Sequence, residues 1–326
     1  MHYRLFGRTG LYVSELCFGA MTFGGKGIYE SMGKTAQAEA DKLVSLALDS
    51  GINFFDTADA YGAGHSETIL ARAIKGRRDQ VVIATKFGYK TSKATRQRPN
   101  GSADPQSIRE LCEASLRRLK TDYIDLYQFH LNGYPADQAE PVRETLEQLV
   151  AEGKIRTYGW STDYPDGARV FGQGAHCSAI QVELNVLDDA ADILAVCDEF
   201  NLAAINRGPL AMGLLTGKYT PDSAPLPNDD VRGPKAPEWM KYFKGGKPNP
   251  EWLDKVSAVR EILTSGGRTL AQGAIGWLWA RSDKNLPIPG FRTVAQAEEN
   301  CGALRFGALT PEQVREIDAL LERQAV

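Results

Sequence analysis

Four ionisable residues, Asp56, Tyr61, Lys86 and His130, stand at or just past the ends of short apolar runs. Asp56 closes INFFD, and Tyr61 follows in the loop DTADAYG. Lys86 ends VVIATK, and His130 ends YIDLYQFH. Singly, each has an ordinary reading: a strand-end Asp caps a loop, a Tyr packs, a Lys is solvated and a His satisfies its hydrogen bonds. Together, on three consecutive runs, they have a coherent chemistry. Reduction of a carbonyl group needs a hydride donor and a proton donor. A tyrosine hydroxyl, with an ordinary pKa of about 10, still carries its proton at neutral pH. A neighbouring lysine cation lowers that pKa by stabilising the phenolate. Asp56 would keep Lys86 charged and in place, and His130 would hydrogen-bond the substrate oxygen or assist the proton relay. General acid catalysis requires that convergence first and a tuned acidity second.

For these side chains to meet, the runs that carry them must end on one face. The chain supplies such a frame. Eight strand candidates can be read: one around Leu16 to Gly19, then INFFDTA, VVIATKF, YIDLYQFH, IRTYGWS, AIQVELN, LAAINRG and LPIPG. Nearly all are followed by a helix pattern, including Thr35 to Ser50, SETILARAIK, PVRETLEQLVAEG, ADILAVCDEF and TVAQAEENCGAL. Another helix starts at Asp104-Pro105, where Asp suits the cap and Pro the first turn, and runs through Leu119. This alternation predicts a parallel sheet with helices outside it. Eight units in 326 residues predict a (β/α)8 TIM barrel. A hairpin (YRLFGRTG, LYVSELCFG) precedes it. The tail TPEQVREIDALLER adds a further C-terminal helix, with Thr310 and Gln313 in a capping-box pattern. One domain spanning 1–326 is expected. Active sites of such barrels sit at the C-terminal ends of the strands. Two places break the rhythm. Residues 208–250, rich in Pro, Gly, Asn and Asp, are too long for an ordinary connection and read as a binding loop or lid. The helix after IRTYGWS is expected to be short, because DGARVFGQGAH holds three glycines.

Composition narrows the function classes. Charged residues make up 24% and the net charge is −3, so no broad basic surface invites nucleic acid or anionic lipid. The five cysteines, Cys17, Cys112, Cys177, Cys197 and Cys301, are odd in number and contain no CxxC. That argues against a disulfide framework and for a reducing compartment. No HExxH or other metal-ligand cluster appears, and no metal is expected. The start, MHYRLFGRTG, has no apolar core of a secretory signal, and no apolar run approaches a membrane span. A cytoplasmic protein is expected. No GxGxxG follows an early strand, which argues against a Rossmann dehydrogenase. Tyr89 and Lys93 make a YxxxK spacing in the polar stretch GYKTSKATRQRPNG, which reads as a solvated loop near the mouth.

The chain resembles the aldo-keto reductases over nearly its full length, through FFDTADAYGAGHSE, VVIATKFG, YIDLYQFH, IRTYGWST, QVELN, GLLTGKY and LPIPGFRTVAQAEEN, in that order. The resemblance implies that Asp56, Tyr61, Lys86 and His130 are the catalytic tetrad, with Tyr61 as proton donor. It also implies NAD(P)H bound extended across the barrel mouth and a small-molecule carbonyl substrate. Ser161, Thr162 (in place of a common Asn) and Gln181 match the residues that grip the nicotinamide carboxamide. The segment 209–218, with Pro209, Leu210, Gly213, Leu215 and Lys218, matches the pyrophosphate loop. Gly290, Phe291, Arg292, Thr293, Gln296, Glu299 and Asn300 match the adenosine stretch. There Arg292 would meet a 2′-phosphate and so favour NADPH, and Glu299 and Asn300 would meet the adenine. Arg207, followed by Gly208, stands where many members carry a Tyr stacked on the nicotinamide. A guanidinium can stack on a π-face or reach a phosphate. Met21, Phe23, Tyr29, Phe87, Leu131 and Trp160 are candidates for an apolar substrate mouth. Two other functions fit parts of the pattern: a Schiff-base aldolase using Lys86, and an NADPH-binding regulatory subunit with little turnover, as in the β subunits of potassium channels. Substrate, reaction direction and oligomeric state are left open by the sequence.

Overall fold

A computed structural model describes residues 1–24, 35–89 and 102–323. The chain opens with an antiparallel hairpin, β1 (Tyr3–Leu5) and β2 (Tyr12–Ser14), in which Leu5 faces Tyr12. Eight parallel strands follow in chain order around one sheet: β3 (Phe18–Gly19), β4 (Phe54–Asp56), β5 (Val82–Phe87), β6 (Ile124–Phe129), β7 (Ile155–Ser161), β8 (Cys177–Glu183), β9 (Ala203–Arg207) and, after a small hairpin β10 (Phe243–Lys244) and β11 (Lys247–Pro248), β12 (Asn285–Pro287). The first and last of the eight meet. Cys17 N–H donates to Pro287 O at 3.0 Å and Gly19 N–H to Pro289 O at 3.1 Å, and Gly19 bridges Gly290. The sheet therefore closes as the sequence predicts, with no free edge.

The strands alternate between two cores because side chains of a strand point to opposite faces in turn. Phe54, Val82, Ala84, Leu126, Ala179, Ile205 and Leu286 fill the barrel interior, and Phe6 and Val13 of the N-terminal hairpin complete the same cluster. Phe55, Ile83, Phe87, Tyr127, Phe129 and Trp160 face the surrounding helices. Three polar residues at the mouth continue inward rows: Asp56 follows Phe54, Lys86 follows Ala84, and Gln128 follows Leu126, in steps of two.

The outer helices are α1 (Gln37–Asp49), α2 (His65–Ala73), α3 (Pro105–Leu119), α4 (Glu140–Ala151), α5 (Pro165–Gly172), α6 (Ala191–Glu199), α7 (Pro250–Leu263), α8 (Leu270–Arg281), α9 (Val294–Gly302) and α10 (Pro311–Leu320). The caps read from sequence form: Asp104 accepts from Ser107 N–H at 2.9 Å, and Thr310 and Gln313 make the full capping box. Helix α5 is short, as its glycines imply. The expected C-terminal helix is α10; helix α7, which the sequence reading did not give, is inserted between β9 and α8 and packs against both α8 and α10. Helix α8 is also absent from the sequence reading. It is apolar on nearly every side, LAQGAIGWLWAR, because the barrel, α7, α9 and α10 surround it, so it shows no amphipathic stripe.

Candidate active site

The inward row ends at the mouth in a buried ion pair. Lys86 Nζ, fully buried, donates to Asp56 Oδ1 at 2.6 Å, to the Thr57 carbonyl at 2.8 Å and to the Tyr61 hydroxyl at 3.3 Å. The other oxygen of Asp56 accepts from Gln181 Nε2 at 2.8 Å and Gln128 Nε2 at 3.2 Å. Burial alone would push the Lys86 ammonium below its ordinary acidity range. The charge of Asp56, then Tyr61, and the hydrogen bonds to both outweigh it and hold the pKa above the usual lysine value. Asp56 thus holds Lys86 as a cation beside the tyrosine oxygen. The His130 ring lies edge-on to Tyr61, with centroids 6.2 Å apart, and edge-on to Tyr89 at 5.3 Å.

The loop carrying Tyr61 is over-determined. Gly62, Ala63 and Gly64 all take left-handed φ, at 62°, 53° and 85°. A Cβ on Gly62 would collide with the Gly24 carbonyl oxygen. Ser66 N–H donates to Tyr61 O, Ser66 Oγ to Ala20 O, and Thr57 Oγ1 to Ser66 Oγ. Glu67 binds Thr85 Oγ1 at 2.6 Å and Arg118 Nε at 2.5 Å, tying α2 to β5 and α3.

From this centre a cleft of 450 Å³ runs across the mouth. Near Tyr61 its walls include His130, Asn132, Ser161, Gln181 and Arg207; at the far end they are Lys218, Arg232, Arg292, Gln296, Glu299 and Asn300. The far end is basic. Desolvation, then the neighbouring Arg232 and Arg292 cations, hold the Lys218 ammonium below its usual range. Arg232, which the sequence reading missed, arrives from the long 208–250 segment. It grips Asp230 bidentately at 2.9 and 2.8 Å and donates to Met212 O and Tyr219 OH, both at 3.0 Å. Its bond to Met212 O holds a turn in which Ala211, Met212 and Gly213 all have left-handed φ. Three cations set against two carboxylates, Asp230 and Glu299, could receive a polyanion, and a phosphate there would offset the repulsion on Lys218.

Of the residues singled out by sequence, Asp56, Tyr61, His130, Ser161, Gln181, Arg207, Gly208, Pro209, Leu210, Gly213, Lys218, Gly290, Arg292, Gln296, Glu299 and Asn300 line this one cleft. Lys86 stands directly behind it. Thr162, Leu215, Phe291 and Thr293 do not reach it. Thr162 is buried and donates to Asn132 O at 2.8 Å, Leu215 is core, Phe291 stacks on Phe18 at 4.4 Å, and Thr293 caps α9. Of the apolar mouth candidates Met21 lines the cleft, whereas Phe23, Phe87 and Trp160 are fully buried core and Leu131 packs against that core. The reason is the strand period: Phe87 follows Lys86 and Trp160 precedes Ser161, so each points away from the mouth. Tyr29 and Lys93 lie outside the described residues. Asn132, Asp163, Glu183, Trp239 and Tyr242 also line the cleft. Of these, Asp163 and Glu183 were legible as polar residues at or just past strand ends. The aldolase reading is not supported, because a Schiff-base lysine needs an unprotonated amine and Lys86 is held as an ammonium by Asp56.

The model of the aldo/keto reductase family matches residues 15–322. The chain is 33% identical over 309 residues to "Aldo-keto reductase yakc [NADP(+)]" of Schizosaccharomyces pombe, covering 91% of this chain and 87% of that protein. It is 31% identical over 329 residues to a chloroplastic pyridoxal reductase of Arabidopsis thaliana, covering 94% and 82%. Among solved structures it superposes on the glycerol dehydrogenase AKR11B4 of Gluconobacter oxydans with a TM-score of 0.82 at 29% identity, covering 98% of this chain and 94% of that one. The holo form of aldo-keto reductase AKR11C1 of Bacillus halodurans gives 0.80 at 29% identity, covering 100% and 97%. The chain belongs to the aldo/keto reductase family. It is an NAD(P)H-dependent oxidoreductase that interconverts carbonyl compounds and alcohols.

Proposed function

We propose that this protein reduces a small aldehyde or ketone with NADPH, Tyr61 supplying the proton. The observation that carries the assignment is the Asp56–Lys86–Tyr61 chain at one end of a cleft whose other end is basic. The bound coenzyme supplies the hydride. Ser161 and Gln181, both lining the cleft, would hold the carboxamide of the nicotinamide. Lys218, Arg232 and Arg292 are arranged to hold phosphates, with Arg292 at the exposed rim suited to the 2′-phosphate. At the mouth Tyr61 Oη donates its proton to the carbonyl oxygen. The phenolate that forms lies 3.3 Å from Lys86 Nζ, which carries its charge throughout. Asp56 acts through Lys86, and the two glutamines on its second oxygen keep that carboxylate aimed. His130 shares the substrate oxygen. Buried fixed charges cost little reorganisation when charge moves, which is where most of the rate advantage arises.

The complete tetrad favours turnover over a purely regulatory role. The described residues contain no helix long and apolar enough to cross a membrane, and all five cysteines are unpaired. Both fit the expected cytoplasmic site. The experiment is a steady-state panel of aldehydes, ketones and ketoses with NADPH and NADH. Oxidation of NADPH coupled to alcohol formation supports the assignment. Tight coenzyme binding with no turnover on any member would refute it in favour of the regulatory role.

A further inference from the structure

Arg207 does not extend into the cleft as a free cation. It ends β9, beside Glu183 at the end of β8 and Asp163 just past β7, and the two carboxylates hold it from both sides. Arg207 Nη1 donates to Glu183 Oε2 at 3.0 Å, and its Nη2 donates to Asp163 Oδ2. The clamp is itself braced. Asp163 Oδ1 accepts from Glu183 N–H at 2.9 Å, and Asp163 Oδ2 accepts from Asn132 Nδ2 at 2.9 Å. Glu183 Oε1 accepts from Tyr242 OH at 2.8 Å and pairs with Lys241 at 3.3 Å; Lys241 also binds Asp188. These five charged groups, two cations and three carboxylates, sum to −1. They are only partly shielded, with Arg207 and Asp163 about one-third exposed at the cleft wall.

The cluster adjoins the Tyr61 end, since Glu183 stands two residues past Gln181, whose amide binds Asp56. A hydride must be delivered next to the tyrosine oxygen, so the redox-active ring must sit in this part of the cleft. Ser161 and Gln181 are register partners, as are Glu183 and Arg207 two residues further on. A ring bonded to the first pair therefore lies against the second. That ring is neutral when reduced and carries one positive charge when oxidised. The charge of the wall therefore acts on one redox state and not the other.

We propose that the Asp163–Arg207–Glu183 clamp sets the relative affinity of the cleft for oxidised and reduced coenzyme, with Arg207 opposing and the two carboxylates favouring the oxidised ring. This rests on the coenzyme reading above. A ligand can shift an equilibrium only through its differential interaction with two states, and here the difference is one unit of charge. Removing one charge beside the ring, across a partly hydrated wall, changes the affinity ratio by about tenfold.

The test is equilibrium titration of NADP+, NADPH and adenosine 2′,5′-bisphosphate, which has no nicotinamide, into wild type, Arg207→Met and Glu183→Gln. Arg207→Met is expected to move the NADP+/NADPH affinity ratio about tenfold toward NADP+. Glu183→Gln keeps the shape and an acceptor for Tyr242, and is expected to move the ratio by a similar factor toward NADPH. The bisphosphate should bind all three proteins alike. An unmoved ratio, or a shift of the same sign in both variants, would overturn the proposal while leaving the coenzyme assignment intact. Parallel loss of bisphosphate binding in Arg207→Met would overturn it by showing that Arg207 serves the phosphates. Failure of wild type to bind either coenzyme would remove the coenzyme assignment and this proposal with it.

Discussion

Replacing Asp56 with Asn keeps the shape of the side chain and removes its charge, leaving Lys86 fully buried with no counter-ion. Breaking a buried pair from one side costs about 3–5 kcal/mol. A second limit comes from Lys86 itself, which escapes burial of a bare charge by releasing its proton. From an ordinary pKa of about 10.4, that release costs at most about 4.6 kcal/mol at pH 7. The expected loss at pH 7 is therefore about 3–4.5 kcal/mol, a fall in Tm of about 4–7 °C for a chain of this size. The sign with pH is fixed. In the wild type the raised pKa of Lys86 contributes stability that is fully present below the unfolded lysine value and is lost only as pH rises through the folded one. In Asp56→Asn burial prevails and depresses that pKa, so the deficit is greatest at neutral pH. It shrinks by up to about 1.4 kcal/mol per pH unit toward pH 10. Thermal or denaturant unfolding of both proteins from pH 7 to 10 measures the gap. The double variant Asp56→Asn/Lys86→Met, with no charge left to bury, should recover part of the loss. A gap that stays constant across that range would refute the claim that Lys86 is a buried cation maintained by Asp56.

Arg292→Ala should weaken NADPH by about tenfold through loss of charge-assisted hydrogen bonds to a phosphate, and leave NADH nearly unchanged when both are titrated by fluorescence; equal losses would make Arg292 a loop support. Gly62→Ala meets both a left-handed φ of 62° and the Gly24 carbonyl. It should lower kcat/KM by about 100-fold through misplacement of Tyr61, with NADPH affinity retained. Unchanged kcat/KM would show that the loop tolerates the displacement.

Much of this architecture was legible because the polar residues interrupt an otherwise apolar period. Asp56, Lys86 and His130 stand out because each ends a run of β-branched and aromatic residues. The same period explains the misassignment of Phe87 and Trp160: aromatic residues next to catalytic ones in sequence face the opposite core. Arg232 was not legible, since nothing local distinguishes a lone Arg in a polar loop, and only the fold of residues 208–250 returns it to the cleft beside Lys218 and Arg292. Helix α8 was hidden for a different reason. It is surrounded by packing partners, and so lacks the polar face by which surface helices are recognised. The pairing of Arg207 with Asp163 and Glu183 depends on the adjacency of β7, β8 and β9, which sequence order suggests but side-chain geometry decides.

If Tyr61 protonates the substrate oxygen with Lys86 behind it, removal of the Tyr61 hydroxyl alone must slow the chemical step. Single-turnover mixing of the NADPH complex with a turned-over aldehyde tests it most directly, comparing wild type with Tyr61→Phe. Loss of a positioned acid should slow hydride transfer by about 10² to 10⁴-fold, while NADPH affinity measured on the same preparations stays at the wild-type value. A Tyr61→Phe enzyme whose single-turnover rate matches the wild type would show that another group supplies the proton.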